Sequence, residues 1–272
     1  MPELPEVENV KRSLIELGAV GQKIARVELR RSGLRVKFPR GLAQQLLGQS
    51  VLAVHRRAKY LLIETNKFYL LSHLGMTGSW RAMTGDEYEK HDHAVLHFES
   101  GLRLVFNDPR RFGVLDFFLK EKLAQSRWLK HLGIEPLADG FNGGYLFSLS
   151  RRVKAPIKAF LMDQRRVVGV GNIYASEALF GAAIKPTRLA GKITSKEADA
   201  LAVCVREILA RAIEAGGSTI RDYRNSNGEE GRFQAQFVVY DRSGEPCVKC
   251  ATKLRSKFIT GRNTFWCPKC QR

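Results

Sequence analysis

Near its end the chain carries Cys247, Cys250, Cys267 and Cys270, a C-x2-C pair, sixteen intervening residues and a second C-x2-C pair. Two close thiol pairs at this spacing are what a tetrahedral structural zinc site needs, so one zinc ion is expected. Two disulfides are the competing arrangement, which a reducing compartment disfavours. Cys204 stands apart in an apolar helical pattern and reads as a small buried hydrophobe. In "HRRAKYLLIE", Lys59 sits amid an apolar strand. Such a lysine ordinarily snorkels to the surface; partly desolvated beside a cleft, it becomes a candidate acid or base. "VVGVGNIYASE" is a poor dinucleotide motif, because no third glycine follows and no βαβ unit surrounds it. A helix opening at Asn172 behind two glycines is instead a seat for a phosphate, with a plain tight turn as the alternative. "HDH" puts His91 and His93 on one strand face without a third metal ligand. "NDPRRFG" offers Arg110, Arg111 and Phe112, which alone would be a turn with a solvated charge pair.

The opening "MPELPEVE" holds a further puzzle. Pro5 suits the first turn of a helix and Glu6 suits its positive end. Helix-start chemistry leaves Pro2 and Glu3 unexplained.

Lys and Arg number 45 against 27 Asp and Glu, a net charge of +18 over 272 residues. A surplus this large favours a polyanionic partner, nucleic acid before an anionic membrane, since no strongly basic amphipathic helix is present. No apolar run reaches membrane-spanning length, and the acidic, proline-bearing start is unlike a secretory signal, so a cytoplasmic location is expected. The segment from Tyr240 to Arg272 holds eight Lys/Arg against two acids. Its β tip "TGRNTFWC", between the cysteine pairs, is suited to placing Arg262 on a phosphate.

These groups need elements to carry them. Val7, Val10, Leu14 and Leu17 share one face of a helix from Pro5 that Gly18 stops. "KIARVELRR", "SVLAVHRRAKYLLIE", "KFYLLSHLGM", "HAVLHFE", "LRLVFND" and "FGVLDFFL" read as strands, with a hairpin turning at Ser100-Gly101. A lone helix and six or more strands suggest a β-sandwich or barrel-like domain. The Gly, Pro and Asp of "HLGIEPLADGFNGG" mark a boundary. Helices are expected in "APIKAFLMDQRRV", "NIYASEALFGA" and "SKEADALAVCVREILARAIEAG", the last with a Thr194–Glu197 capping box and a stop at Gly216-Gly217. A polar, glycine-rich loop follows.

"PELPEVE", "RRAKYLL", "HLGMTGS", "KHDH", "DPRRFG", "VVGVGNIYASE", "GGST" and "GRNTFWCPKCQ", in this order and spacing, resemble the formamidopyrimidine-DNA glycosylase branch of the Fpg/Nei repair enzymes over essentially the whole chain. The resemblance implies an α+β fold: an N-terminal β-sandwich with an N-terminal helix (1–134), a helix–two-turn–helix domain (135–235) and a four-cysteine zinc finger (236–272). It implies a glycosylase and lyase for oxidised purines, working as a monomer on double-stranded DNA that contains oxidised bases or abasic sites, in the bacterial cytoplasm with the nucleoid. Pro2, freed of Met1, becomes the nucleophile and Glu3 its proton shuttle. Lys59 becomes the proton donor of β-elimination, and Arg262 the residue of δ-elimination or a phosphate clamp. Met76, Arg110 and Phe112 match the wedge that fills the gap left by an everted nucleotide. His91 and Asn172 match backbone contacts, Lys158 a residue near the lesion pocket, and Gly217 to Phe233 the loop over the flipped base. In "SRRVKAPIK" Val153 interrupts the usual basic run, and the phosphate contact is carried to Arg152. The "PELPEV" start, in place of "PEGPE", argues against the pyrimidine-specific branch.

Overall fold

Helix α1 (Leu4–Glu16) opens the chain and lays Val7, Val10 and Leu14, all fully buried, against a β-sandwich. Gly18, at φ +77°, ends it where a side chain would be strained. In the computed structural model, residues 1–218 and 231–272 are described. Most of the expected Gly217–Phe233 loop therefore lies outside the described residues. Two units emerge, Met1–Lys130 with Ala215–Gln234, and His131–Glu214 with Ala235–Arg272.

The first unit contains β1 (Ile24–Leu29), α2 (Leu42–Leu46), β2 (Val51–Arg57), β3 (Tyr60–Thr65), β4 (Phe68–His73), β5 (Ser79–Ala82), β6 (Asp92–Phe98), β7 (Arg103–Asn107) and β8 (Val114–Leu119). Two antiparallel four-stranded sheets form, in the orders β1-β6-β7-β5 and β2-β3-β4-β8. Trp80, Phe106, Leu70, Leu96, Leu104 and Leu115 fill the space between them. The Ser100-Gly101 hairpin is present between β6 and β7. Two readings change. "SVLAVHRRAKYLLIE" is two strands, and Lys59 occupies the turn between them, with Ala58 at φ +54°. Period-two alternation continues through a tight hairpin, so it hides the turn. The four-residue β5 is too short to signal itself.

The second unit holds α3 (Gly143–Ser150), α4 (Ile157–Met162), α5 (Asn172–Gly181), α6 (Ser195–Glu214), β9 (Arg255–Ile259) and β10 (Arg262–Trp266). Helix α3 is concealed in the glycine-rich boundary. A Cβ on Gly143 would lie 2.5 Å from Asp199 Cα, so this glycine permits the close approach of α3 to α6 rather than marking a loop. Helix α6 starts with the expected capping box: Glu197 N–H donates to Thr194 Oγ1 (3.2 Å) and Thr194 N–H to Glu197 Oε2 (2.8 Å). Cys204 on α6 is half-buried rather than fully enclosed. No described helix is long and apolar enough to cross a membrane.

One buried carboxylate organises this unit. Glu177 on α5 accepts the backbone N–H groups of Val238 (3.0 Å), Val239 (3.0 Å) and Tyr240 (2.8 Å), and burial pushes its pKa up. The bonds seat the segment leading into the cysteine module on α5. Glu177→Ala should orphan three N–H donors and cost about 3 kcal/mol or more, read as a lower denaturation midpoint. Glu177→Gln, which keeps one acceptor oxygen, should fall in between.

Candidate active site and zinc centre

Pro2 and Glu3 are buried at the start of α1. Glu3 is the N-cap and forms a reciprocal capping box with Glu6: Glu3 N–H donates to Glu6 Oε2 at 2.8 Å. The other Glu6 oxygen accepts from Ser218 N–H (2.8 Å) and Ser218 Oγ (3.0 Å). Gly217, at φ +80°, passes so close that a Cβ would sit 3.1 Å from Glu6 Oε1. Glu6 therefore fixes the backbone of Glu3 and the first turn of the segment after α6 together.

The tip carrying Lys59 is tied to α1 through Arg56. Its Nε donates to Glu8 Oε2 (2.8 Å) and its Nη1 to Ala58 O (3.1 Å). Lys59 is 5 % exposed, so it does not snorkel. Across the sheet, His73 accepts the Gly75 N–H at Nδ1 (2.9 Å), and its ring centroid lies 4.8 Å from that of Tyr60. Burial, with the charges of Lys59 and Arg35, depresses its pKa to about 4. His73 is thus a neutral imidazole beside an ammonium. Sequence reading missed Arg56, His73 and the bridging role of Glu6. The repeated Glu of "PELPEVE" was the available signal for Glu6 alone.

Arg110 and Phe112 are exposed on the turn between β7 and β8, the guanidinium 5.0 Å from the ring centroid. Met76 is half-buried on the turn between β4 and β5. His91 precedes β6 at φ +78°, its ring 6.3 Å from that of His93. Departing from strand geometry, it does not alternate with His93 as the sequence suggested.

In the second unit Lys158 is 1 % exposed. Its Nζ donates to Asn172 Oδ1 (2.7 Å) and Thr264 Oγ1 (3.0 Å), while Asn172 Nδ2 donates to Asn263 O (3.0 Å). Lys158 and Asn172 thus lock α4 and α5 to β10. Arg262, exposed, begins β10 after Thr260 and Gly261, both at positive φ. Arg151 donates to Phe147 O (3.1 Å) and Ile193 O (2.5 Å). Its exposed neighbour Arg152 makes no such bond among the described residues.

Three family profiles match in succession: the formamidopyrimidine-DNA glycosylase N-terminal domain over 1–115, the formamidopyrimidine-DNA glycosylase H2TH domain over 132–224, and the zinc finger found in FPG and IleRS over 244–272. The chain belongs to the formamidopyrimidine-DNA glycosylase family. It is 50% identical over 273 residues to the formamidopyrimidine-DNA glycosylase of Bdellovibrio bacteriovorus, covering 100% of both chains. An FPG variant from Lactococcus lactis, solved with Fapy-dG containing DNA, is similar at a TM-score of 0.92 and 34% identity, with 100% of both chains covered. The MutM (FPG) protein from Thermus thermophilus is similar at a TM-score of 0.90 and 40% identity, with 99% of this chain and 98% of that one covered.

The family's zinc finger fits these residues. The Sγ atoms of Cys247, Cys250, Cys267 and Cys270 all lie within 4.8 Å of one another, with Cys247–Cys270 at 3.9 Å and Cys250–Cys267 at 3.5 Å. Zn–S bonds of about 2.3 Å require tetrahedral edges of about 3.8 Å. The cluster is a structural zinc site. With four protein ligands it has no open position for chemistry, and its work is to close the module that carries β9 and β10. Gln271 secures it further, accepting from Cys267 N–H (2.8 Å) and donating to Ile184 O (2.9 Å).

One zinc per chain should be found by elemental analysis, and Cys267→Ser should lose both the metal and duplex binding. Metal-free protein that binds normally would contradict this organising role. His73 generates a pH prediction. Its folded pKa of about 4 lies below the ordinary value near 6.5, so it adds nothing above that value. Between about pH 6.5 and 4 the unfolded chain takes up a proton that the folded one refuses, so stability falls as pH falls. His73→Asn keeps an acceptor for Gly75 and should flatten the loss by up to one proton, measured by denaturation across this window.

Proposed function

We propose that this chain is a bifunctional DNA glycosylase and AP lyase that removes oxidised purines, 8-oxoguanine and formamidopyrimidines, from double-stranded DNA. The observation that carries the reading is the buried Pro2–Glu3 pair, held by Glu6 at the head of α1 and joined through Glu8 and Arg56 to the turn bearing Lys59. Proline after a removable methionine presents a secondary α-amine with a pKa of about 8, so a useful fraction is neutral at physiological pH, unlike an ordinary lysine.

The lone pair of that nitrogen forms the bond to C1′ of the damaged nucleotide as the glycosidic bond breaks and the base leaves with a proton. Glu3 protonates the sugar ring oxygen, opening the ring to an iminium. The iminium draws electrons from C2′, whose proton is lost as the C3′–O bond breaks and phosphate departs. Lys59, desolvated in its turn, is the proton donor of this β-elimination, and Glu3, left as a carboxylate by ring opening, shuttles the C2′ proton. Loss of the C4′ proton as the C5′–O bond breaks and the 5′ phosphate departs completes δ-elimination. Arg262 clamps phosphate there, since a guanidinium holds its protons too firmly to be a good proton donor.

Met76, Arg110 and Phe112 form the wedge that occupies the space of the everted nucleotide. His91, Arg152 and Arg262 meet the DNA backbone, and the start of α5 at Asn172 seats a phosphate. Lys158 acts indirectly, holding Asn172 and β10 in place. The +18 charge supplies salt-dependent affinity for the duplex, and the enzyme works as a cytoplasmic monomer among nucleoid DNA.

Borohydride added during turnover should reduce the iminium and trap protein on DNA. Pro2→Gly should weaken trapping strongly and retained Met1 should abolish it. Trapping with Met1 demonstrably in place would assign the nucleophile elsewhere. A second expectation concerns the base opposite the lesion. Cytosine offers Arg110 acceptors, whereas adenine turns its amino group toward the donors. Excision of 8-oxoguanine should be about 5- to 150-fold faster opposite cytosine than opposite adenine. Arg110→Ala should flatten that preference, and equal rates in the unmutated enzyme would remove the role from Arg110.

A further inference from the structure

The two turns that carry the wedge cross between the sheets at neighbouring places, β4 to β5 and β7 to β8. They are fastened by a directed relay. Asp108, fully buried, accepts from Thr77 Oγ1 at Oδ1 (2.6 Å) and from Gly113 N–H at Oδ2 (2.7 Å). Thr77 Oγ1 in turn accepts the backbone N–H of Arg110 (3.1 Å). The Asp108 backbone is pinned as well, its N–H donating to His91 O (3.1 Å) and its carbonyl accepting from His93 Nε2 (2.9 Å) and Arg111 N–H (3.2 Å). Contact between the turns is backbone to backbone: a Cβ on Gly75 would meet Phe112 C at 2.4 Å and Gly113 N at 2.5 Å. Met76 follows Gly75 directly.

We propose that Thr77 and Asp108 are positioning residues that determine opposite-base specificity, their hydroxyl–carboxylate clasp holding Met76, Arg110 and Phe112 as one probe assembled before DNA arrives. The proposal rests on the reading of Arg110 as the residue that meets the base facing the lesion. The relay has a fixed polarity. A carboxylate only accepts, so both Asp108 oxygens need donors. The one proton of Thr77 is committed to Asp108, which leaves its lone pairs to receive Arg110 N–H. Reading a base edge depends on orientation, and a displacement of about 1 Å can cost on the order of a hundredfold in a positioned reaction. Freeing the Arg110 backbone should therefore reduce the advantage of cytosine more than it slows excision in general.

Thr77→Val removes the hydroxyl at nearly constant volume, and Thr77→Ser retains it. Excision of 8-oxoguanine is measured opposite cytosine and opposite adenine, alongside hydrogen exchange at the Arg110 amide in the DNA-free protein. Thr77→Val should lower the cytosine-to-adenine rate ratio about tenfold and speed exchange at Arg110 about tenfold or more, by loss of orientation and of the amide's acceptor. Thr77→Ser should keep both near their original values. Asp108→Asn, which cannot accept at both positions, should follow Thr77→Val. An unchanged ratio in Thr77→Val, or equal slowing opposite both bases, would overturn the specificity role. Should Arg110→Ala leave the preference intact, the reading of Arg110 fails, and with it the specificity role. The exchange rates then still decide whether the clasp orders the turn.

Discussion

A buried carboxylate must find a donor for each oxygen, and the placement of the N-terminal residues depends on that demand at Glu6. One of its oxygens takes the N–H of Glu3; the other takes the N–H and hydroxyl of Ser218. Chain starts ordinarily fray. Here two residues that would otherwise be loose are capped, buried and joined to a segment more than two hundred positions away. The nucleophile proposed at Pro2, just ahead of the N-cap of α1, is useful only if the chain start has one position, and the bond of Glu6 to the Glu3 N–H supplies it.

The same device recurs. Asp108 satisfies its oxygens with a hydroxyl and a backbone N–H, and by doing so joins two surface turns. Glu177 satisfies its own with three consecutive N–H groups and seats the lead into the zinc module. In each case the sandwich or helix core supplies rigidity, and one enclosed acid transmits it to a segment lacking regular structure. Lys158 is the cationic counterpart, with its ammonium shared between Asn172 and Thr264.

Much of this was legible in the sequence because local patterns were strong. Val7, Val10 and Leu14 mark α1, Thr194 and Glu197 mark the start of α6, and the cysteine spacing marks the zinc site. Lys59 reads as part of a strand because alternation runs on through a two-residue turn. Helix α3 escapes notice because Gly143 signals a loop locally, although its purpose is close packing on α6. Neither the Glu6–Ser218 bond nor the Thr77–Asp108 bond has a local signature. Their partners are distant in sequence, and only the folded chain brings them together.

In the proposed mechanism the nitrogen of Pro2 carries the covalent bond to DNA. Mass spectrometry of the protease-digested, borohydride-reduced complex locates that bond to a peptide. The sugar remnant should lie on a peptide that begins at Pro2, with Met1 absent. A remnant on the peptide containing Lys59, or on one that still begins with Met1, would contradict it.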